Sequence, residues 1–199
     1  MTTAHGSADA DGIVYRLARP EDAGAIEALD SSFTTATVFE VSDPGPHAGS
    51  GLGFLLREVP VDPPVHKVFP PEEHDEQGSG GGKDSDADAR TFVALDGDRL
   101  CGFAAAGYTA WNRRLTIEDI EVSPGHRGRG IGRGLMECAA EFARERGAEH
   151  LWLEVSSVNA PAVHAYRRMG FTFCGLDTAL YGGTPAAGEL ALYMSRPCR

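Results

Sequence analysis

The sequence predicts a single α/β domain, a mixed central β-sheet of about seven strands with helices on both of its faces. Three observations lead there. Residues 115–134, LTIEDIEVSPGHRGRGIGRG, read as a strand, a turn and the start of a helix, the kind of unit that joins parallel strands. Residues 91–95 and 100–108 flank Asp96-Gly97-Asp98, a hairpin signal that implies antiparallel pairing. At 199 residues with 42% hydrophobic content, the chain suits one domain able to bury a substantial core.

Taken in order, residues 1–12 are polar and read as a disordered leader; the domain proper is expected over 13–199. Residues 13–17 form a first strand. Pro20-Glu21-Asp22 then opens a helix, since proline fits a first turn and acids complement the positive end of the helix dipole. Residues 31–41 are ambiguous from the residues alone. A Pro/Gly loop over 43–53 precedes a strand at 54–59. Five prolines follow up to Pro71, and residues 72–89 are acidic, glycine-rich and without large apolar side chains. Such a run cannot bury enough surface to offset its ordering entropy, so it is expected to be a flexible acidic insertion.

The pattern then sharpens. After the hairpin, a reversal near Trp111-Asn112 leads into the strand at 115–122, where Ile117, Ile120 and Val122 are strand formers. Helical spacing runs from Ile131 through Leu135, Ala139 and Phe142 to a stop at Gly147. Residues 150–155 form the next strand. Asn159 caps a helix of about three turns ending at Gly170, with Ala162, Val163, Tyr166 and Met169 as its periodic face. Residues 171–175 and 190–195 are the last strands, joined by a polar loop over 181–189.

Composition narrows the function. With 29 Asp and Glu against 18 Lys and Arg, the net charge of −11 repels nucleic acid and anionic membranes and favours polycations. No stretch approaches a transmembrane helix, and the N-terminus lacks the features of a signal peptide. Cys101, Cys138, Cys174 and Cys198 show no metal-like spacing, and they read as buried thiols of a cytoplasmic protein; no metal is expected. The oligomeric state is open, a homodimer included.

The turn after residue 122 carries Gly128, Gly130, Gly132 and Gly134 among Arg127, Arg129 and Arg133. Arginines at a helix N-terminus are unfavourable unless a strong anion sits there. Glycines let the backbone approach, and the free amides of the first helical turn then point at phosphate oxygens. The plainer alternative is a turn with a solvated basic face. A P-loop is a poorer fit, because Gly132 is followed by Arg133 rather than Lys and a hydroxyl residue.

Arg127-Gly128-Arg129-Gly130-Ile131-Gly132 resembles the acyl-CoA-binding motif of the GCN5-related N-acetyltransferase (GNAT) superfamily. Asn159, Ala162, Tyr166, Gly170 and Phe171 match that superfamily's later motif at every fixed position. More narrowly, FTTATVFEV, WNRRLTIEDIEV, HAYRRMGFTFCGLDTALY and ALYMS resemble the streptothricin (nourseothricin) acetyltransferases of actinomycetes. In that fold, residues 31–41 often correspond to a second short helix beside the acceptor site. The resemblance implies acetyl-CoA as co-substrate. It implies binding through backbone amides of Arg127, Gly128, Arg129, Gly130, Ile131 and Gly132, through the main chain of Ile120, Glu121 and Val122, and through Asn159 and Tyr166.

Acetyl transfer to an amine also needs a base for the ammonium and an acid for the departing thiolate. In related enzymes the equivalent of Tyr166 is that acid; a phenol with a reference pKa of about 10 stays protonated at neutral pH. Tyr166 could equally fill the apolar face of its helix. The candidates for the base are Glu154, Glu118, Asp119 and Glu121. Glu154 leads by analogy with the ribosomal-protein alanine acetyltransferases, and any of the four could instead bind substrate or serve structure. His164 reads as a surface or packing residue. The implied acceptor is a small polycationic antibiotic, acetylated on a β-lysine amine and so inactivated. Acetylation of a protein N-terminus or lysine, and a non-catalytic acyl-CoA-binding module, are the alternatives.

Overall fold

The computed structural model describes residues 7–8, 12–42, 53–68 and 88–198. The residues expected as leader, as Pro/Gly loop and as acidic insertion lie almost wholly outside these. In chain order the described elements are β1 (Ser7–Ala8), β2 (Ile13–Leu17), α1 (Ala23–Glu27), β3 (Phe33–Ser42), β4 (Leu55–Lys67), β5 (Ala89–Asp96), β6 (Arg99–Thr109), β7 (Arg114–Val122), α2 (Ile131–Glu145), β8 (His150–Ser156), α3 (Ala160–Arg168), β9 (Thr172–Asp177) and β10 (Ala191–Pro197). They form two compact units, one of Met1–Ser32, Val68–Leu153 and Arg196–Arg199, the other of Phe33–Lys67 and Glu154–Ser195.

In the first unit the strand order is β1-β2-β5-β6-β7-β8. β2/β5, β5/β6 and β6/β7 are antiparallel, and β7 pairs parallel with β8, so the sheet is mixed as expected. Gly97, at φ 60°, makes the β5–β6 hairpin turn that Asp96-Gly97 predicts. Strand alternation then sends neighbours to opposite faces. Phe92 meets Phe142 of α2, ring centroids 6.5 Å apart, while Val93 and Phe103 pack with Ala18, Ile26 and Leu29 on the α1 side. Helices therefore cover both faces. α2 is anchored by Ile131, Leu135, Met136, Ala139 and Phe142, all buried at helical spacing, and each large side chain contributes about 1.5–3 kcal/mol. Gly147, left-handed at φ 66°, ends it where the sequence places the stop.

Two features of β7 position the chemistry. Its ladder with β8 runs only from Arg114 opposite His150 to Ile117 opposite Leu153. On its other side Ile117 faces Ala106 and Asp119 faces Ala105, so Glu118 is the extra residue of a β-bulge. The bulge breaks the in-out alternation: Ile117 is buried, and Glu118 and Asp119 are both exposed.

In the second unit β3 and β4 form a two-stranded antiparallel sheet, β9 and β10 pair antiparallel, and α3 packs on β3. Residues 31–41, ambiguous from the residues alone, lie mostly in the strand Phe33–Ser42 and not in the short helix that the resemblance offered. FTTATVFEVS is rich in β-branched and aromatic residues, and Phe33, Thr35 and Phe39 are buried in strand alternation apart from a register shift between Thr35 and Thr37. The strand expected at 54–59 runs on through Lys67, its prolines accommodated because among the described residues β4 has a strand partner on one side only. The cysteine reading is also corrected: Cys101 is buried, donating to the Ala94 carbonyl, but Cys138 and Cys198 are half-buried and Cys174 is exposed on β9. Among the described residues β9 pairs with β10 alone, and its residues Thr172 to Gly175 are all exposed.

Candidate active site

The glycine turn comes first because α2 fixes it. Ile131, the first helical residue, is buried at 1% exposure, so the helix start has a defined place. Gly130 occupies the cap position at φ 85° with no side-chain cap, and no acid lies in the first turn. The amides of that turn have no intrahelical partner by geometry. Gly128, at φ 79°, and Gly130 both face open space, where an L-residue would be strained. An uncapped helix start fronted by left-handed glycines fits a diphosphate group.

The four glycines do not share this role. A Cβ on Gly132 would touch Val122 Cγ2 at 3.7 Å, while one on Gly134 would lie 2.3 Å from Tyr15 Cζ. Gly134 serves packing between α2 and β2. The arginines divide as well. Arg127 Nε donates to the Val122 carbonyl (2.8 Å), Nη1 to Ser32 (2.7 Å) and Nη2 to Ser31 (3.1 Å), so it clamps the end of β7 to the segment after α1. Arg129 pairs with Asp96 at 2.7 Å and holds that carboxyl below its usual range. Arg133 is exposed on the first turn of α2.

β7 carries three of the four candidate carboxylates. Glu118 protrudes at the bulge, and a Cβ on Gly107 would sit 2.5 Å from its Oε1, so that glycine makes the room it occupies. Desolvation pushes the Glu118 carboxyl up from its ordinary value. Asp119 and Glu121 follow on the same strand, opposite Ala105 and Phe103.

The fourth, Glu154, belongs to the second unit. It is half-buried on β8 and accepts a hydrogen bond at Oε1 from the Tyr181 hydroxyl. Burial raises its carboxyl, the Tyr181 hydrogen bond lowers it, and the charge of Glu189 raises it again. Glu189 accepts from Ser156 Oγ and from Lys67 Nζ. Asn159 caps α3, its Oδ1 accepting from the Ala162 amide at 3.2 Å. Tyr166 is 9% exposed on the inner face of α3, its ring centroid 6.0 Å from that of Phe171. His164 pairs with Glu58 at 2.9 Å and lies against Phe39. A cleft of about 310 Å³ in this unit is lined by strand β3 with Ser157, Val158, Gly188 and Leu190; Glu154 and Tyr181 do not line it.

Sequence reasoning names Glu154 and Tyr166 but not Tyr181, Glu189 or Lys67. The first two of these sit in a polar loop with no helical or strand period, and Lys67 closes a proline-rich run. No spacing rule connects them, because their meeting depends on where the β9–β10 connection crosses β8.

Comparison with known proteins agrees with this architecture. The acetyltransferase (GNAT) family matches over residues 55–171. A streptothricin acetyltransferase of Streptomyces lavendulae is 65% identical over 200 residues, covering all of both chains. The crystal structure of a nourseothricin acetyltransferase superposes with a TM-score of 0.82 at 61% identity, over 94% of this chain and 99% of that one. A Bacillus anthracis protein solved in complex with acetyl coenzyme A shares the fold at a TM-score of 0.70 and 22% identity, over 93% and 99% of the two chains.

Proposed function

The chain belongs to the acetyltransferase (GNAT) family, and on that premise we propose that it acetylates a streptothricin-class antibiotic with acetyl-CoA, on a primary amine of the β-lysine moiety, and so confers resistance. The observation that carries this reading is the 65% identity, end to end, with a streptothricin acetyltransferase. Two physical features support it. The uncapped start of α2 with Gly128 and Gly130 fits a diphosphate. The net charge of −11 favours a polycationic acceptor over an anionic one.

When bound, acetyl-CoA supplies an acetyl group activated as a thioester. The amides at residues 128–132 bind its diphosphate, the Arg127 amide being already given to the Pro124 carbonyl (3.3 Å). The main chain of Ile120, Glu121 and Val122, past the end of the β8 ladder, offers groups for an extended arm other than the Val122 carbonyl that Arg127 holds. Glu154 accepts the proton of the acceptor ammonium. Its burial and the nearby Glu189 raise its proton affinity above that of an ordinary carboxylate, and the Tyr181 hydrogen bond holds that rise in check. Tyr166 gives its phenolic proton to the departing thiolate. Glu118, Asp119 and Glu121 draw the cationic acceptor, and the reaction runs in the cytoplasm, where acetyl-CoA is made.

The test is release of free thiol by the purified protein supplied with acetyl-CoA and either streptothricin or a panel of peptides. Turnover with streptothricin, and growth of a sensitive host on the antibiotic when it carries this chain, are the expected results. Turnover with peptides alone rejects the antibiotic reading, and coenzyme binding without thiol release toward any amine rejects catalysis.

A further inference from the structure

We propose that Tyr181 is a positioning residue for the acetyl-transfer base, its phenolic O–H holding one oxygen of the Glu154 carboxylate so that the other is left to the acceptor ammonium. The inference rests on the reading of Glu154 as that base.

The geometry of the loop carries it. Glu154 and Ser156 are two residues apart on β8 and so project from the same face of the strand. The connection from β9 to β10 reaches that face twice, through Tyr181 to Glu154 and through Glu189 to Ser156. Glu189 is held a second time by Lys67 of β4. The approach to Tyr181 is shaped by its own backbone: Asp177 Oδ1 accepts from the amides of Ala179 (2.7 Å) and Leu180 (3.0 Å), and the Tyr181 carbonyl accepts from the Thr184 amide (3.0 Å) and hydroxyl (2.9 Å). The phenol is thus presented by a turn fixed at both ends, which limits the entropy lost in orienting the carboxylate. Among the described residues no hydrogen bond is made to Glu154 Oε2.

The electrostatics follow from the groups around the carboxylate. Glu189 on the same loop and Tyr193 on β10 act on the pair along with Tyr181, and Lys67 offsets the charge of Glu189. Burial and Glu189 both favour the protonated form of Glu154, in which it cannot serve as a base. The donor on Tyr181 opposes them. Burial and the neighbouring Glu154 raise the phenol's own proton affinity, which favours the protonated, hydrogen-bond-donating form.

The experiment is the pH profile of kcat/KM for streptothricin with saturating acetyl-CoA, measured on the full chain as wild type, Tyr181→Phe, Tyr181→3-fluorotyrosine and Glu154→Gln. Tyr181→Phe removes a hydrogen bond that favours the carboxylate, so the acid limb is expected to move up by about one pH unit, roughly a tenfold loss below the limb. Affinity for acetyl-CoA should not change. 3-Fluorotyrosine, a stronger donor of nearly the same shape, should move the limb down, which keeps the test intact if the phenylalanine variant folds poorly. An acid limb that stays in place in both Tyr181 variants, or that moves against these signs, overturns the proposal. Full turnover in Glu154→Gln with its acid limb intact overturns the reading of Glu154 instead.

Discussion

Replacing Gly134 with alanine is expected to destabilise the protein, although helix propensity alone argues the reverse. Gly134 lies inside α2, where alanine is favoured over glycine by about 1 kcal/mol. Against that, the new Cβ would lie 2.3 Å from Cζ, 2.5 Å from the hydroxyl oxygen and 2.6 Å from Cε1 of Tyr15. Tyr15 is 7% exposed on β2, held between β1 and β5, so its ring has little room to retreat. Overpacking of this kind costs about 1–3 kcal/mol, and a contact this short belongs at the upper end. The net loss is then about 1–2 kcal/mol, or roughly 2–8 °C in Tm for a chain of this size. Thermal and urea unfolding of Gly134→Ala, Tyr15→Ala and the double variant form a cycle. With the ring gone, Gly134→Ala should become neutral or stabilising. If the substitution stabilises the wild-type background, or destabilises both backgrounds equally, the packing role assigned to Gly134 is refuted.

Other outcomes follow from the same structure. Gly130→Ala places a side chain at φ 85°, a strain of about 1–2 kcal/mol at the start of α2; calorimetric titration with coenzyme A should show weaker binding, and unchanged affinity would remove Gly130 from the diphosphate site. Tyr166→Phe should lower kcat far more than it lowers coenzyme affinity, and equal losses in turnover and binding assays would make Tyr166 a packing residue. Asp22 is held at a pKa of about 2 by hydrogen bonds from Arg16 at 2.6 and 2.9 Å and from the Arg19 amide. A depressed carboxyl stabilises the fold above the unfolded value of 3.8 and loses that contribution as pH falls toward 2. Asp22→Asn should flatten the fall in urea midpoint across this window, and an unchanged slope would show that the pair contributes nothing.

Much of the fold was legible because its signals are local. The Asp96-Gly97 hairpin, the spacing of Ile131, Leu135, Ala139 and Phe142, the Asn159 cap and the Gly147 stop each depend on a few neighbouring residues, and each appears in the structure. Residues 33–42 were harder. The resemblance favoured a helix there, but the β-branched run pairs with β4, a partner whose prolines hide its strand character from propensity. The bulge at Glu118 was out of reach for a similar reason, since one unpaired residue changes no local pattern but sets which carboxylates project.

The chain's own residues determined a mixed α/β fold and a glycine turn suited to an anion at the start of α2, and the resemblance they carry named Glu154 and Tyr166 as candidates. Those depend on short-range geometry and on residue types that few chemistries can use. Only the tertiary structure decided that Gly134 packs on Tyr15, that Arg127 and Arg129 are committed to carbonyls and to Asp96, and that Tyr181 reaches Glu154 from 27 positions away. Contacts between distant segments are set by how strands and loops cross, and no period in the sequence encodes a crossing.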